Sequence, residues 1–518
     1  MVGAELKLSV MLDRPRRRRK APETPKRVRT RDYRQLRHPF TPQPVFSEDR
    51  VASMHDTALR VLEELGVKVL LPEAREIFAR AGATVDDEMM VKIGRDVVEE
   101  AVRTAPSSFH FQAPNKERSQ QWEHGALMMA PGAGCPNVTD LERGRRAGSL
   151  NNYIETLKLQ QSFDAIHQLG PSAEPQDIPI QLRHYEQMKQ QLILCDKPLF
   201  MYSRGTKQVE EQIEMIKIAR QWDDAAFEAD VKVMTIINTN SPRMIDNPMA
   251  QGIIDFAWAN QLSIITPFCL AGAMAPITVT GALVLQHAEA LAAITLGQLV
   301  RPGAPMAYGG FASNVDMKSG SPAFGTPEHV QACLGSGQLA RHINLPWRSA
   351  SGSAGQVADA QSVQENALAL WGAFMAGATL CVHSAGWLEG GLTFGYEKFI
   401  IDMEAVNTLA ELCNPIAADD DDMAFRAIAD VQPGGHFFAT EHTMERYQTA
   451  FYPPVVADLT NIGQWEDAGA PTTAENATKV WKEVLAEFTP PAACEGVEDA
   501  LAPYIEAGIK AGGAPPID

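Results

Sequence analysis

Apolar positions fall in three rhythms along this chain. From about Ser47, the residues Val51, Met54, Ala58, Leu59, Val61 and Leu62 recur at three- and four-residue spacings and stop at Gly66, which predicts an amphipathic helix. Two shorter helices are expected near 72–82 and 94–104, with a strand-like Phe109–Phe111 behind them. Between about Leu127 and Gly391 the rhythm becomes a repeat of short apolar run, Gly/Pro/Ser-rich turn and helical stretch. The runs are Leu127–Ala130, Phe163–Leu169, Leu199–Tyr202, Val231–Ile237, Ser263–Leu270, Ala304–Tyr308, Pro346–Ala350 and Ala378–His383. Strands alternating with helices predict βαβ units and a parallel sheet. Eight units in about 265 residues fit an α/β fold of the (β/α)8 TIM-barrel type, whose usual size is about 250 residues. A doubly wound open sheet is the other arrangement the pattern allows, but no G-x-G-x-x-G follows the first run. After about Pro415 the third rhythm begins, with Asp419–Asp422, the stretch GGHFFATEHTMERYQTAFYPP and a charged helical C-terminus.

The division expected is therefore a basic flexible arm (1–45), a helical N-terminal segment (46–125), the barrel (126–415) and a helical C-terminal extension packed on the barrel (416–518).

Composition narrows the class. In 518 residues, 45% hydrophobic and 21% charged positions make a globular balance and exclude wholesale disorder. The apolar runs are interrupted well before about 18 residues, so no membrane-spanning helix is expected, and no apolar leader with a cleavage site opens the chain. Seven singly scattered cysteines suit reduced thiols and a cytoplasmic location. The net charge of −18 is uneven: residues 1–40 hold 13 Lys/Arg against 4 Asp/Glu, while the rest carries 33 against 60. An acidic body argues against nucleic acid as the ligand. The run Arg16–Lys20 reads as a solvated tail, with docking on an acidic partner or a sister subunit as the alternative.

Candidate chemistry is sought at the C-terminal strand ends, where barrel enzymes hold their reacting groups. No lysine sits there for a Schiff base, no H-x-H or H-E-x-x-H for a metal, and no cysteine triplet for an iron–sulfur cluster. What falls there instead is aromatic: Tyr202, Phe268, Tyr308, Phe311, Trp347 and Trp387, interleaved with Gly132, Gly134, Gly272, Gly309, Gly310, Gly352, Gly390 and Gly391. Rings near acidic groups suit a quaternary ammonium ion through cation–π attraction, although each ring alone reads as packing. The glycines leave room for a bulky ligand or the approach of another protein. His383, with Glu389 six residues on, is the leading polar candidate. Glu174 and Asp177 could neutralise a cation, and Asn238 and Asn240 could orient a carboxylate or cap a helix. His436, Glu441 and His442 offer either metal ligands or links between extension and barrel. The stretch HQLG (167–170) after Asp164 departs by one residue from a cobalamin-binding signature, so no corrinoid is expected on this chain itself.

Several stretches resemble the trimethylamine methyltransferase family: LEELGVKV (62–69), GPSAEPQDIP (170–179), CDKPLFMYSRG (195–205), GAMAPITVTGALVLQHAEALA (272–292), RPGAPMAYGGFASNVDMKSGSPAFGTPE (301–328), LPWRS (345–349), HSAGWLEGGLTFGYEKFI (383–400) and GGHFFATEHT (434–443). The resemblance runs from about residue 45 to the end and implies a (β/α)8 corrinoid-dependent methyltransferase. It implies that a methyl group passes from a methylated amine to Co(I) of a separate, cognate corrinoid protein. Archaeal trimethylamine enzymes of the family carry pyrrolysine, thought to make the amine quaternary-like. The corresponding stretch here, Trp347–Gly355 (WRSASGSAG), holds no electrophile. A neutral tertiary amine cannot shed an amide anion unaided, so a pre-quaternised donor, glycine betaine or a related betaine, is expected. On that resemblance the aromatic residues hold N⁺, His383 and either Arg348 or Asn238 bind a carboxylate, and Glu389 and Glu174 balance charge. A tertiary-amine demethylase without pyrrolysine and a non-catalytic quaternary-amine binder are the alternatives, and a homo-oligomer is left open.

Overall fold

The computed structural model describes residues 33–517. Most of the basic arm, residues 1–32, lies outside them. Seven of the eight expected apolar runs are strands, all mutually parallel. They are β2 (Ala126–Met129), β3 (Leu199–Phe200), β4 (Val233–Ile237), β5 (Leu262–Ile265), β6 (Met306–Gly309), β7 (Trp347–Ala350) and β8 (Leu380–Val382), preceded by β1 (Leu36–Arg37). The spatial order is β1-β2-β8-β7-β6-β5-β4-β3, a curled eight-stranded sheet in a mixed α/β fold. Most of these strands are buried throughout, because helices cover the outside and side chains from facing strands fill the inside.

The exception is instructive. Phe163–Leu169 is not a strand. It lies between β2 and β3, sending the His167 N–H to the Met129 carbonyl (2.8 Å) and the Leu169 N–H towards that of Pro198 (3.5 Å). Its own carbonyls are taken by side chains: Phe163 by Lys197 Nζ at 2.8 Å and His167 by Gln120 Nε2 at 2.9 Å. The first half of the β2 edge is already occupied, since β1 pairs antiparallel there with Leu36 opposite Leu127 and Arg37 opposite Ala126. Residues 33–37, grouped with the arm by the sequence pattern, thus supply the eighth strand of the sheet, antiparallel at the β2 edge.

Before β2, helices α1 (Glu48–Arg60), α2 (Pro72–Arg80) and α3 (Arg95–Thr104) stand where periodicity puts them. Ser47 is the residue before α1, but its side chain makes no capping bond. Gly66, at φ +73°, turns the chain into the short strand Val67–Val69. Between the strands run α4 (Leu150–Gln161), α5 (Arg183–Leu194), α6 (Thr206–Arg220), α7 (Asn247–Trp258), α8 (Val279–Val300), α9 (Pro327–His342), α10 (Ala360–Met375) and, after β8, α11 (Tyr396–Leu412). Among the described residues α8 is the one helix long and apolar enough to cross a membrane, which the broken apolar runs had not led us to expect. It is packed inside the fold against α1, α3 and α7, so its apolar circumference is spent on protein.

In the C-terminal part, α12 (Thr473–Glu487) packs on α11, and α13 (Val497–Lys510) on α5 and α6. The chain end returns to the sheet, with the Ile517 N–H on the Arg204 carbonyl at 3.0 Å. Residues 414–472, between α11 and α12, contrast sharply: only Ala427, Val455 and Val456 are buried. His436, Glu441 and His442 lie in this stretch, with His436 and Glu441 exposed. Among the described residues no group of His, Cys, Asp and Glu is arranged to hold a metal.

Candidate active site

A cavity of about 480 Å³ opens at the carboxyl ends of the parallel strands. Phe200, Tyr202, Ser203 and Arg204 reach it from β3, Ile236 and Asn238 from β4, Phe268 from beyond β5 and Phe311 from beyond β6. Arg348 belongs to β7, His383 and Trp387 follow β8, and Ala133, Gly134 and Pro136 follow β2. Seven of the expected residues therefore converge: His383, Tyr202, Phe268, Phe311, Trp387, Asn238 and Arg348.

Four do not, and for two the reason is strand parity. Trp347 and Arg348 are adjacent on β7, so they face opposite sides of the sheet. With Arg348 inward, Trp347 points to the helical layer, where its indole N–H donates to the Gly377 carbonyl at 2.9 Å. Tyr308 is the register partner of Trp347 and shares its outward side, its hydroxyl meeting Gln286 and His287 of α8. Both rings are core. Glu389 is clamped by Arg145 through two contacts of 2.9 and 3.0 Å and does not line the cavity. Glu174 sits one layer back, bridging Arg183 and Arg204 at 2.8 Å each. Its burial alone would raise its pKa, but Arg204 and Arg183 hold it below the ordinary value.

The aromatic wall is continuous. The centroids of Phe268 and Phe311 are 4.8 Å apart, Phe311 lies 5.7 Å from Trp387, and the His383 imidazole stacks on Trp387 at 4.2 Å with 15° between planes. The neighbouring glycines are spent on this indole rather than left vacant: a Cβ on Gly352 would stand 2.1 Å from Trp387 Cε3 and one on Gly391 2.3 Å from Cζ2. Only Gly134, Gly390 and Gly391 of the eight singled out line the cavity.

Arg348 is the electrostatic anomaly. The residue is 1% exposed, its Nε and Nη1 have no hydrogen-bond partner within the protein, and among the described residues no carboxylate pairs with it. Burial pulls its pKa down to about 10. Its Cζ lies 5.0 Å from the Phe311 ring centroid, and Nη2 stands 3.1 Å from Nε2 of His383. The other ring nitrogen of His383, Nδ1, receives the Ala133 N–H at 3.3 Å. Both imidazole nitrogens thus face donors, and a neutral ring can accept at only one of them. Burial first, and Arg348 second, push the His383 pKa well below its usual value, so the ring is neutral. His383 also holds φ +62°, a backbone region that non-glycine residues adopt at a cost.

Of the lining residues the sequence reading passed over, Arg204 matters most. It follows β3 in the SRG turn, where a charged residue at a strand end was a visible signal. The lining holds two arginines and no acidic residue, in a chain whose net charge is −18. Arg204 shares Glu174 with Arg183 and Arg348 faces no carboxylate among the described residues, so the cavity has positive charge prevailing around it. It is built to receive an anionic group beside aromatic faces.

An α/β fold with an open-mouthed, mostly apolar cavity at the carboxyl ends of its strands has the layout of a small-molecule enzyme. The trimethylamine methyltransferase (MTTB) family model matches residues 13–513, and the chain belongs to that family; it is a methyltransferase. It is 33% identical over 469 residues to the glycine betaine methyltransferase of Desulfitobacterium hafniense (strain Y51), covering 90% of this chain and 96% of that protein. It is 27% identical over 464 residues to the trimethylamine methyltransferase MttB of D. hafniense (strain DSM 10664 / DCB-2), covering 89% and 93%. The crystal structure of monomethylamine methyltransferase from Methanosarcina barkeri overlaps 88% of this chain and 92% of its own at a TM-score of 0.43 and 9% identity.

Proposed function

We propose that the protein demethylates a quaternary amine bearing a carboxylate, glycine betaine or a close relative, and delivers the methyl group to a corrinoid carried by a separate protein. The observation that carries this reading is Arg348: a buried guanidinium that faces no carboxylate among the described residues, in an aromatic cavity whose described lining holds no acid. A betaine supplies both missing complements, a carboxylate for Arg348 and N⁺ for the rings of Phe268, Phe311 and Trp387. Trimethylammonium supplies only more positive charge.

The reaction is a displacement at the methyl carbon. The bound corrinoid supplies the nucleophile when its protein docks. The N–CH3 bond breaks, its electron pair stays on nitrogen, which becomes a neutral tertiary amine, and the product leaves with its carboxylate still charged. No proton transfer is required, so the residues' work is to orient the donor and exclude water. Arg348, with the Nε2 face of His383, fixes the carboxylate, and the aromatic wall orients one methyl group outward. The stretch 347–355 offers nothing to quaternise an amine: Ser349 Oγ donates to Cys333 Sγ and Ser353 Oγ to the Trp387 carbonyl, both buried. His167, nearest to a cobalt-ligand motif, has Nδ1 on the Met129 N–H and Nε2 on the Arg34 carbonyl, so neither nitrogen is open. On this reading Phe163–Leu169 closes the curled sheet as the second unit of a (β/α)8 barrel.

The test mixes the enzyme with a corrinoid protein reduced to Co(I) and follows loss of the Co(I) absorbance with glycine betaine, choline and trimethylamine. Betaine is expected to react and trimethylamine to be inert; equal rates with trimethylamine would overturn the reading.

A further inference from the structure

We propose that residues 1–32 of the same chain cover the acidic, apolar surface of residues 414–472. That surface is unusual in both apolar content and charge. Of its 59 residues three are buried, while Ile416, Phe425, Phe438, Phe451, Leu459 and Ile462 are 69–94% exposed. Single exposed hydrophobics are ordinary, but six large ones this exposed within one stretch of 59 residues call for a covering partner. The same stretch carries 10 Asp/Glu against 2 Arg, a charge of −8. Its partner must therefore be basic and must bring apolar side chains.

Residues 1–32 meet both requirements. They hold 11 Lys/Arg against 4 Asp/Glu, a charge of +7, and the apolar residues Leu6, Leu8, Val10, Met11 and Leu12. Their point of entry is also right. The first described residues stand at the root of the exposed stretch: Arg34 Nη2 donates to the Ala410 carbonyl at 2.8 Å and lies 3.9 Å from Glu411, both in the last turn of α11. Fully extended, 32 residues reach about 105 Å at ~3.3 Å per residue, so every part of the surface is accessible from there. Tethering raises the effective concentration to the millimolar range, which favours this chain's own segment over a free partner.

The test uses the full chain. Amide hydrogen exchange across 414–472 is compared between the wild type and the charge-reversed R16E/R17E/R18E/R19E/K20E, whose substitutions touch no described contact. Exchange is expected to be at least ten-fold faster in the variant, and likewise in the wild type at about 0.5 M salt, where charges are screened within several ångströms. Carbodiimide coupling is expected to join Lys20 or Lys26 to Asp419–Asp422 within single chains, without mixed products in a sample of ¹⁴N- and ¹⁵N-labelled protein. Equal exchange in both proteins would overturn the proposal. So would protection that fades on dilution with mixed-isotope cross-links, which would put a second copy on this surface.

Discussion

The guanidinium of Arg348 stands 3.1 Å from Nε2 of His383, and two of its nitrogens, Nε and Nη1, have no partner. Buried polar atoms are nearly always hydrogen-bonded, and a buried charge without a counter-ion costs stability. On the proposed reading a substrate carboxylate would supply the partners that these two nitrogens lack within the protein. Arg348→Met should separate the two roles. It is expected to raise KM for glycine betaine at least ten-fold, since a charge-assisted hydrogen bond is worth about 1.5–3 kcal/mol. Stability to urea is expected to hold or rise, because no ion pair is lost. A variant that binds betaine normally but unfolds earlier would make Arg348 structural.

His383 is expected to separate donors by whether they carry a carboxylate. His383→Asn keeps a residue that tolerates the left-handed backbone at φ +62° while removing the imidazole from Trp387. KM for betaine should rise, whereas choline, lacking a carboxylate, should be affected much less. Equal losses for both substrates would point to a collapsed aromatic wall instead.

Trp387 is held by backbone. Gly352 lies at φ +117°, and its absent Cβ leaves the space that the indole fills. Gly352→Ala combines a disfavoured conformation with overpacking, each costing on the order of 1–3 kcal/mol. A lower urea midpoint and weakened betaine binding should appear together. An unchanged midpoint would show that the loop has slack.

How much of this was legible in the sequence depends on the kind of signal. The helix–strand alternation was readable because the covering helices force buried, uninterrupted strands. Phe163–Leu169 misled because its apolar pattern matches a strand, whereas the side chains of Gln120 and Lys197, distant in sequence, decide where its carbonyls bond. Among site residues, turns after strands placed Tyr202, Phe268, Phe311 and Trp387 well. Within strands the parity of a single residue separates Arg348 from Trp347, and no local pattern announces which one faces inward. Arg348 gains its significance from facing no carboxylate among the described residues, a property of the assembled cavity alone.

Glu389 gives a prediction against the first expectation. Its carboxylate is committed to a half-exposed arginine, Arg145, and solvent screening leaves such pairs little energetic weight. Glu389→Gln should change kcat and KM for betaine less than about five-fold. A loss of a hundred-fold would return Glu389 to the reacting groups.

Acid should weaken the fold through its buried histidines. His329 is pushed down to about 4 by burial, against a raising contact from the Ala350 backbone, and His167 to about 3 by burial and Lys197. Their folded-state values lie below the ordinary 6.5, so below that pH the unfolded chain binds more protons. Their contribution is complete above pH 6.5 and is lost as pH falls towards 4 and 3, at up to ~1.4 kcal/mol per pH unit for each ring. Asp255, raised to about 6 by burial, works in the opposite direction, favouring the fold as it takes up its proton. The histidines prevail by number, since His55 and His287 are depressed as well. Urea midpoints should therefore fall steadily from pH 7 to pH 4.5. His329→Gln, whose side chain does not titrate there, should flatten that fall; an unchanged slope would mean that His329 is protonated in the folded protein.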